Sequence, residues 1–269
     1  MKFSKYQALG NDYLVVDPAD GPTGGLTSDQ VRAICDRHYG IGADGVLYGP
    51  TTVDAARADY GLRIYNSDGS ECEKSGNGLR MFALYLRHRY SVGSGLSIAL
   101  RDETCAVTFE DERTNRISVA LGRGTVIDPN RAVTVGNRAL RATVIDVGNP
   151  HAVLFLDRVV PADAQTLGRE LSQDTSQFPH RTNVQMVQAI SRERIGIEIW
   201  ERGAGYTLAS GSSACAAALA AVHHGLTESA VRVDMPGGSL DVSVSGTGEL
   251  TLTGGCDYIG RGEFAGSPA

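Results

Sequence analysis

A chain of 269 residues, 42% hydrophobic and 21% charged, is long enough for one large domain or two of ordinary size with substantial cores. The net charge of −6, with no basic stripe interleaved with aromatics, argues against a nucleic-acid partner. No apolar run approaches the roughly 18 residues of a spanning helix. The opening stretch Met1-Lys2-Phe3-Ser4-Lys5-Tyr6 has neither an apolar h-region nor a small-residue cleavage site, so a cytoplasmic protein with no membrane partner is expected.

Taken in chain order, short β-type runs recur between glycines: Tyr13–Val16, Leu62–Tyr65, Ala106–Phe109, Ala152–Phe155 and Ile195–Trp200. Helical candidates are fewer. The first runs from Ser28 to His38, with Ser28 or Asp29 as cap and Val31, Ile34 and Cys35 on one face. The second spans Asn77 to Tyr90, with Leu79, Phe82, Ala83 and Leu86 spaced for burial. A weaker one covers Asp163 to Glu170. The last, Ser213 to His223, carries small apolar residues all round and reads as a central helix wrapped by sheet. The content is α+β rather than alternating βαβ. Five cysteines (Cys35, Cys72, Cys105, Cys215 and Cys256) are odd in number, widely spaced and form no C-x-x-C, so free thiols are expected and no metal site.

A search for self-similarity is the informative step. Gly10-Asn11 and Gly148-Asn149 each precede a strand; Ser75-Gly76 and Ser210-Gly211 each open an apolar helix. Asn11 and Ser75 are 64 residues apart, Asn149 and Ser210 61 apart, and the common order argues for duplication. Two pseudo-symmetric domains are expected. Residues 1–112, completed by 259–269, form the first, and residues 113–258 the second. The boundary falls in the polar stretch Glu110–Asn115.

A glycine-flanked helix start leaves backbone N–H groups unpaired at the positive end of the helix dipole, a place for a carboxylate or phosphate. The competing reading is that these glycines only permit tight turns. No Walker A or G-x-G-x-x-G motif stands in a strand-to-helix context, and no lysine has a pyridoxal-phosphate setting, so no cofactor is expected. A small carboxylate-bearing molecule is the natural ligand. His151 and the Glu201-Arg202 pair, assigned here to strand-end loops, are candidate proton carriers; Asn66 and Asn183 offer neutral amides.

The chain resembles the diaminopimelate epimerase family over nearly its whole length. The resemblance is carried by Lys5–Asp12, Gly40–Gly45, Tyr65–Ser70, Ser75–Arg80, Gly148–His151, Thr182–Val184 and Trp200–Gly205. It implies two domains of similar topology, each a curled, mostly antiparallel sheet around a central helix, with a cleft between them and a pyridoxal-independent amino-acid epimerase or racemase activity. It implies that Asn11, Asn66, Asn149, Asn183 and Arg202 hold the substrate, and that Gly76-Asn77 and Gly211-Ser212 bind its reacting carboxylate. It also implies that His151 and Glu201 partner the acid-base groups. An amino acid is the expected partner, and a homodimer is among the assemblies the reading admits.

The departures are chemical. Cysteine occupies the positions of Ser75 and Ser210 in the family, Tyr206 stands where a glutamate is usual, and Met81 replaces a small or sulfur-bearing residue. A thiol ionises near 8.5 and can be tuned toward neutrality; a hydroxyl normally needs an adjacent base. Cys72 and Cys215 lie three residues before Ser75 and five after Ser210 and do not restore the pair. Three readings follow: an epimerase or racemase working through serines or inactivated; a related isomerase, dehydratase or cyclase using His151 or Glu201; and a non-catalytic amino-acid-binding homologue.

Overall fold

The computed structural model describes residues 1–111 and 113–266. The boundary expected at Glu112 and the last three residues of the expected returning tail, 267–269, lie outside them. The chain forms two compact units, Met1–Val119 with the segment from Gly254 onward, and Ala120–Thr253.

The first unit opens with β1 (Lys2–Ala8) and β2 (Asn11–Val16), an antiparallel hairpin in register Ala8↔Asn11. Leu9 and Gly10 both have positive φ, as a two-residue hairpin turn of this hand requires. After α1 (Ser28–Cys35), β3 (Gly45–Thr51) joins β2 in parallel, and β4 (Tyr60–Asn66) returns antiparallel to β3. Then come β5 (Glu71–Cys72), α2 (Gly76–Tyr90), β6 (Gly95–Ala99) parallel to β4, and the antiparallel β7 (Thr104–Phe109) and β8 (Arg116–Arg123).

The second unit repeats this order of pairings. It runs β9 (Thr125–Val135), β10 (Arg138–Asp146) and β11 (Pro150–Phe155), all antiparallel. A helical segment follows: α3 (Pro161–Asp163), a π-helical turn Ala164–Gly168, and α4 (Arg169–Gln173). Next, β12 (Asn183–Ser191) is parallel to β11, and β13 (Arg194–Glu201) and β14 (Gly205–Thr207) turn back. After α5 (Gly211–His223), β15 (Ala230–Met235) is parallel to β13 and continues into antiparallel β16 (Gly238–Val244) and β17 (Glu249–Gly255). Finally β18 (Asp257–Glu263) pairs with β1, as β9 pairs with β10. The repeat seen as motif order in the sequence is a repeat of topology. Gly148, like Gly10, has positive φ (+97° and +83°) with open space around its missing side chain, so conformation rather than room requires glycine in both turns that present asparagine.

In each unit the strands carry helices on both faces. In the first unit Leu14, Val16, Val46 and Tyr48 pack against Val31 and Ile34 of α1, while strand alternation directs Tyr13 and Val15 to the opposite face, where α2 is buried from Asn77 to Leu86. In the second, Ala152, Leu154, Val184 and Met186 pack against Ala164, Leu167 and Leu171, and α5 is buried from Ser213 to Ala221. Small residues let a helix be surrounded in this way. Among the described residues no helix is long and apolar enough to cross a membrane.

Helix limits differ from expectation at several ends, α2 beginning one residue early at Gly76 and the weak Asp163–Glu170 helix extending over Pro161–Gln173. Thr27, not Ser28 or Asp29, caps α1; its hydroxyl accepts from Gln30 N while the Gln30 side chain accepts from Thr27 N, so reciprocity of the capping box places the cap one residue earlier. The same helix ends at Cys35 rather than His38, its carbonyls being taken by the Gly40–Ala43 loop. The helix drawn from Ser213 starts at Gly211, because Ser210 is its cap.

Ala217 has no exposed surface inside α5. Ala217→Leu overfills that space and is expected to cost about 1–3 kcal/mol, read as a lower denaturant midpoint with the fold retained.

Candidate functional site

Ser75 and Ser210 are the N-caps of the two central helices. Ser75 Oγ accepts from Gly78 N at 3.0 Å and Ser210 Oγ from Ser213 N at 3.4 Å. The helical ladders begin at Leu79 N→Ser75 O (2.9 Å) and Ala214 N→Ser210 O (3.0 Å). Within each first turn two N–H groups therefore precede the ladder and escape the cap: those of Gly76 and Asn77, and those of Gly211 and Ser212. The helix dipole adds to them, so each turn is suited to a carboxylate oxygen. Ser212 Oγ lies 3.4 Å from Ser210 Oγ.

In the first unit the surroundings are charged. Asp12 and Asp44 tie the starts of β2 and β3 together: Asp44 N donates to the Asp12 carbonyl (2.9 Å) and Asp12 N to Asp44 Oδ2 (3.0 Å). Arg37 bridges both carboxylates at 2.7 Å, and Lys5 Nζ meets Asp12 at 2.7 Å. Burial opposes the Asp12 charge, but hydrogen bonds from Arg37 and Lys5 outweigh it and hold the carboxyl below its ordinary range. Asn11 Nδ2 donates to Asp44 Oδ2 (2.8 Å), Asn77 Nδ2 to Asn11 Oδ1 (3.3 Å), and the fully buried Arg80 to Asn77 Oδ1 (2.7 Å). A donor-only guanidinium at one end and an acceptor-only carboxylate at the other set both amide orientations. Tyr13, buried, has its hydroxyl beside Ser75. Asn66 stays in its own turn, donating to Ser70 Oγ at 2.9 Å.

In the second unit they are mostly neutral. His151, expected in a strand-end loop, lies inside β11 with no exposed surface: the strand begins at Pro150, and His151 pairs with Asn183 on β12. Burial pushes its imidazole down to about 4, and it contacts Asn149 Oδ1 at 2.7 Å. Asn183 donates to the Pro150 carbonyl (3.2 Å) and accepts from Arg202 N (3.1 Å). Glu201 closes β13, half-buried and opposite Gly205, a strand end rather than a loop; Arg202 follows in the turn. Tyr206 donates to Glu198 Oε2 at 2.8 Å, and burial raises that carboxyl. Among the described residues no hydrogen bond joins Ser210 to His151 or Glu201, and no cluster of His, Cys, Asp and Glu could hold a metal ion. Among the described residues no disulfide forms; the cysteines are buried, Cys72 half so.

Residues passed over in the sequence are thus Lys5, Asp12, Tyr13, Arg37, Asp44 and Arg80. Lys5, Asp12, Asp44 and Arg80 stand inside quoted motifs; Arg37 and Tyr13 do not, and only the fold joins them to the rest.

Because the Asp12 carboxyl is more acidic folded than its unfolded value of about 3.9, its stabilisation is complete above that value and is lost as pH falls through the depressed one. Asp12→Asn is expected to be less stable at neutral pH and to lose less stability on acidification, as read from urea midpoints between about pH 7 and 3.

The family model for diaminopimelate epimerase matches residues 3–127 and 143–259. The chain is similar to diaminopimelate epimerase 2 of a Nostoc species, 39% identical over 98% of this chain and 96% of that one. The diaminopimelate epimerase of a Cyanothece species is 35% identical, over 97% and 99%. Among solved structures, a predicted epimerase from Pseudomonas aeruginosa has a TM-score of 0.72 at 16% identity, covering 99% of both chains. A hydroxyproline epimerase from Agrobacterium vitis has a TM-score of 0.75 at 12% identity, covering 97% of this chain and 91% of the other. At those identities the structural likeness is one of fold. The matches in sequence, running over nearly the full length, make this chain a member of the diaminopimelate epimerase family.

Proposed function

We propose that the chain is a cofactor-independent epimerase or racemase of an amino acid of the diaminopimelate type, removing and returning a proton at the α-carbon in lysine or related amino-acid biosynthesis in the cytoplasm. The observation that carries the reading is one device built twice: a serine cap with two free N–H groups at the start of a buried helix, in a member of this family. In this reading Gly76, Asn77, Gly211 and Ser212 offer N–H groups to the reacting carboxylate. Asn11, Asn66, Asn149, Asn183 and Arg202 hold the remainder of the substrate. Ser75 and Ser210 occupy the proton-carrying positions, with His151 and Glu201 in support.

Oxygen in place of sulfur sets the rate. A base far from its working pH contributes little to proton transfer, so turnover through two hydroxyls is slow. That same observation favours a second reading, one-sided proton chemistry such as isomerisation, elimination or cyclisation, with Glu201 as the base. Full burial and the contact with Asn149 suit His151 to orienting a neighbour more than to meeting substrate.

The test is solvent exchange. The protein with diaminopimelate in deuterated buffer, without added cofactor or metal, is expected to place deuterium at the α-carbon, seen by mass spectrometry. Ser75→Cys with Ser210→Cys is expected to raise the rate about a hundredfold or more. Absence of exchange in both proteins overturns the epimerase reading. For the second reading, Glu201→Gln is expected to abolish turnover of a substrate that the serine-to-cysteine change does not accelerate.

A further inference from the structure

Gln185 has been given no task so far, although it is as buried as any residue in the second unit. The parallel register pairs His151 with Asn183 and Val153 with Gln185, so Gln185 sits one step along on the same face of the sheet as His151. The two side chains meet there. Gln185 Nε2 donates to Ser213 Oγ at 3.0 Å. Ser213 is the residue whose N–H is capped by Ser210, so Gln185 is braced against the first turn of α5. On the far side of the imidazole, Nε2 lies 2.7 Å from Asn149.

Among the described residues, His151 Nδ1 and Gln185 Oε1 are buried at this place without a hydrogen bond of full geometry. They are complementary, since an amide facing one ring nitrogen satisfies both sides with a single proton. Burial, reinforced by the positive charge of Arg202, keeps the ring neutral, so it carries one proton to be shared between two nitrogens. With Gln185 Nε2 engaged by Ser213, Oε1 is left to face Nδ1, which places the single proton on Nδ1; Nε2 is then an acceptor, and Asn149 satisfies it with its side-chain amide turned to present NH2. We propose that Gln185 is a positioning residue that, braced by Ser213, holds His151 in one tautomer and thereby fixes the side-chain amide of Asn149.

The chain Ser213–Gln185–His151–Asn149 ties the turn bearing Ser210 to an asparagine assigned to substrate. Only its effect on turnover rests on the proposed α-proton chemistry; the tautomer is read without substrate.

The experiment is nitrogen-15 NMR of the full chain labelled at histidine, between about pH 5 and 8. The unaltered protein is expected to show His151 as a single neutral tautomer throughout, assigned by the loss of its signals in His151→Asn. Gln185→Met is expected to lose that pattern, giving mixed or exchanged tautomers, and to lower kcat/KM for exchange about tenfold, equivalent to one hydrogen bond, with a rise in KM as the substrate-holding amide of Asn149 is released. Gln185→Glu keeps size and an acceptor; it is expected to keep a single tautomer but raise the titration of His151, which decides the matter if the methionine variant fails to fold. A mixed-tautomer spectrum in the unaltered protein, an unchanged spectrum in Gln185→Met, or an unchanged titration in Gln185→Glu overturns the proposal. Failure of α-exchange with the spectra as expected overturns the reaction assignment alone.

Discussion

The interaction on which the structure turns is a serine hydroxyl accepting the third N–H of a buried helix. The first-turn donors of a helix have no intrahelical partner, and with Gly76, Gly211 and Ser212 only half-buried the donors left by the cap are open to solvent or to a ligand. Ser75 and Ser210 each satisfy one donor and leave two. Apart from the buried Asn77–Arg80 pair of α2, the side chains behind them are mostly small or apolar, so both helix starts are held by the core rather than by a surface loop. Fold and anion-binding capacity are thus one arrangement viewed at two scales.

Around this shared frame the units have diverged in chemistry while keeping their registers. Tyr13 opposite Gly45 in the first unit corresponds to His151 opposite Asn183 in the second. Where the first has the Asp12–Arg37–Asp44 network with Lys5, the second has Asn149, His151, Asn183 and Gln185. Charges hold the first corner strongly but make it sensitive to acid; amides and a neutral imidazole hold the second without charge. Gly45 shows how closely the first corner is packed: a Cβ there would meet the Tyr65 carbonyl at 2.2 Å and the Tyr13 ring at 2.6 Å. A larger residue at this position would displace the Tyr13 ring that reaches Ser75.

What the sequence disclosed and what it hid divide along the range of the interactions. Strand runs, the central helices and the paired Gly-Asn and Ser-Gly motifs are local, set by alternation, helical spacing and the conformational demands of glycine. Their order was enough to recognise a repeat and a family. Thr27 does not stand out as the cap in the sequence because Ser28 and Asp29 are equally good capping types, and only the reciprocal bond with Gln30 distinguishes it. The binding of Arg37 to Asp12 spans 25 residues and that of Arg80 to the amides depends on helix rotation, so neither has a signature in spacing. His151 looked like a loop residue because Gly148-Asn149-Pro150 reads as a turn; the strand starts inside that motif, and its parallel partner was 32 residues away.

The serines present the sharpest conflict between stability and chemistry. As a cap, serine is among the best residues available. As a proton carrier at the same point, it draws on the same helix end to stabilise its anion. A helix terminus supplies at most about 2 kcal/mol, roughly one and a half pKa units. That is enough to bring a thiol from about 8.5 to neutrality. It leaves a hydroxyl far short, and a neighbouring tyrosine that stays protonated can donate to Ser75 but cannot take its proton at neutral pH. Both positions therefore hold an atom suited to capping at a helix end whose field would suit a thiolate better. In the proposed reading the two N–H groups of each turn keep their binding role while proton transfer through the capping oxygens is slow, so sulfur restored at both positions would raise the rate without disturbing the N–H groups.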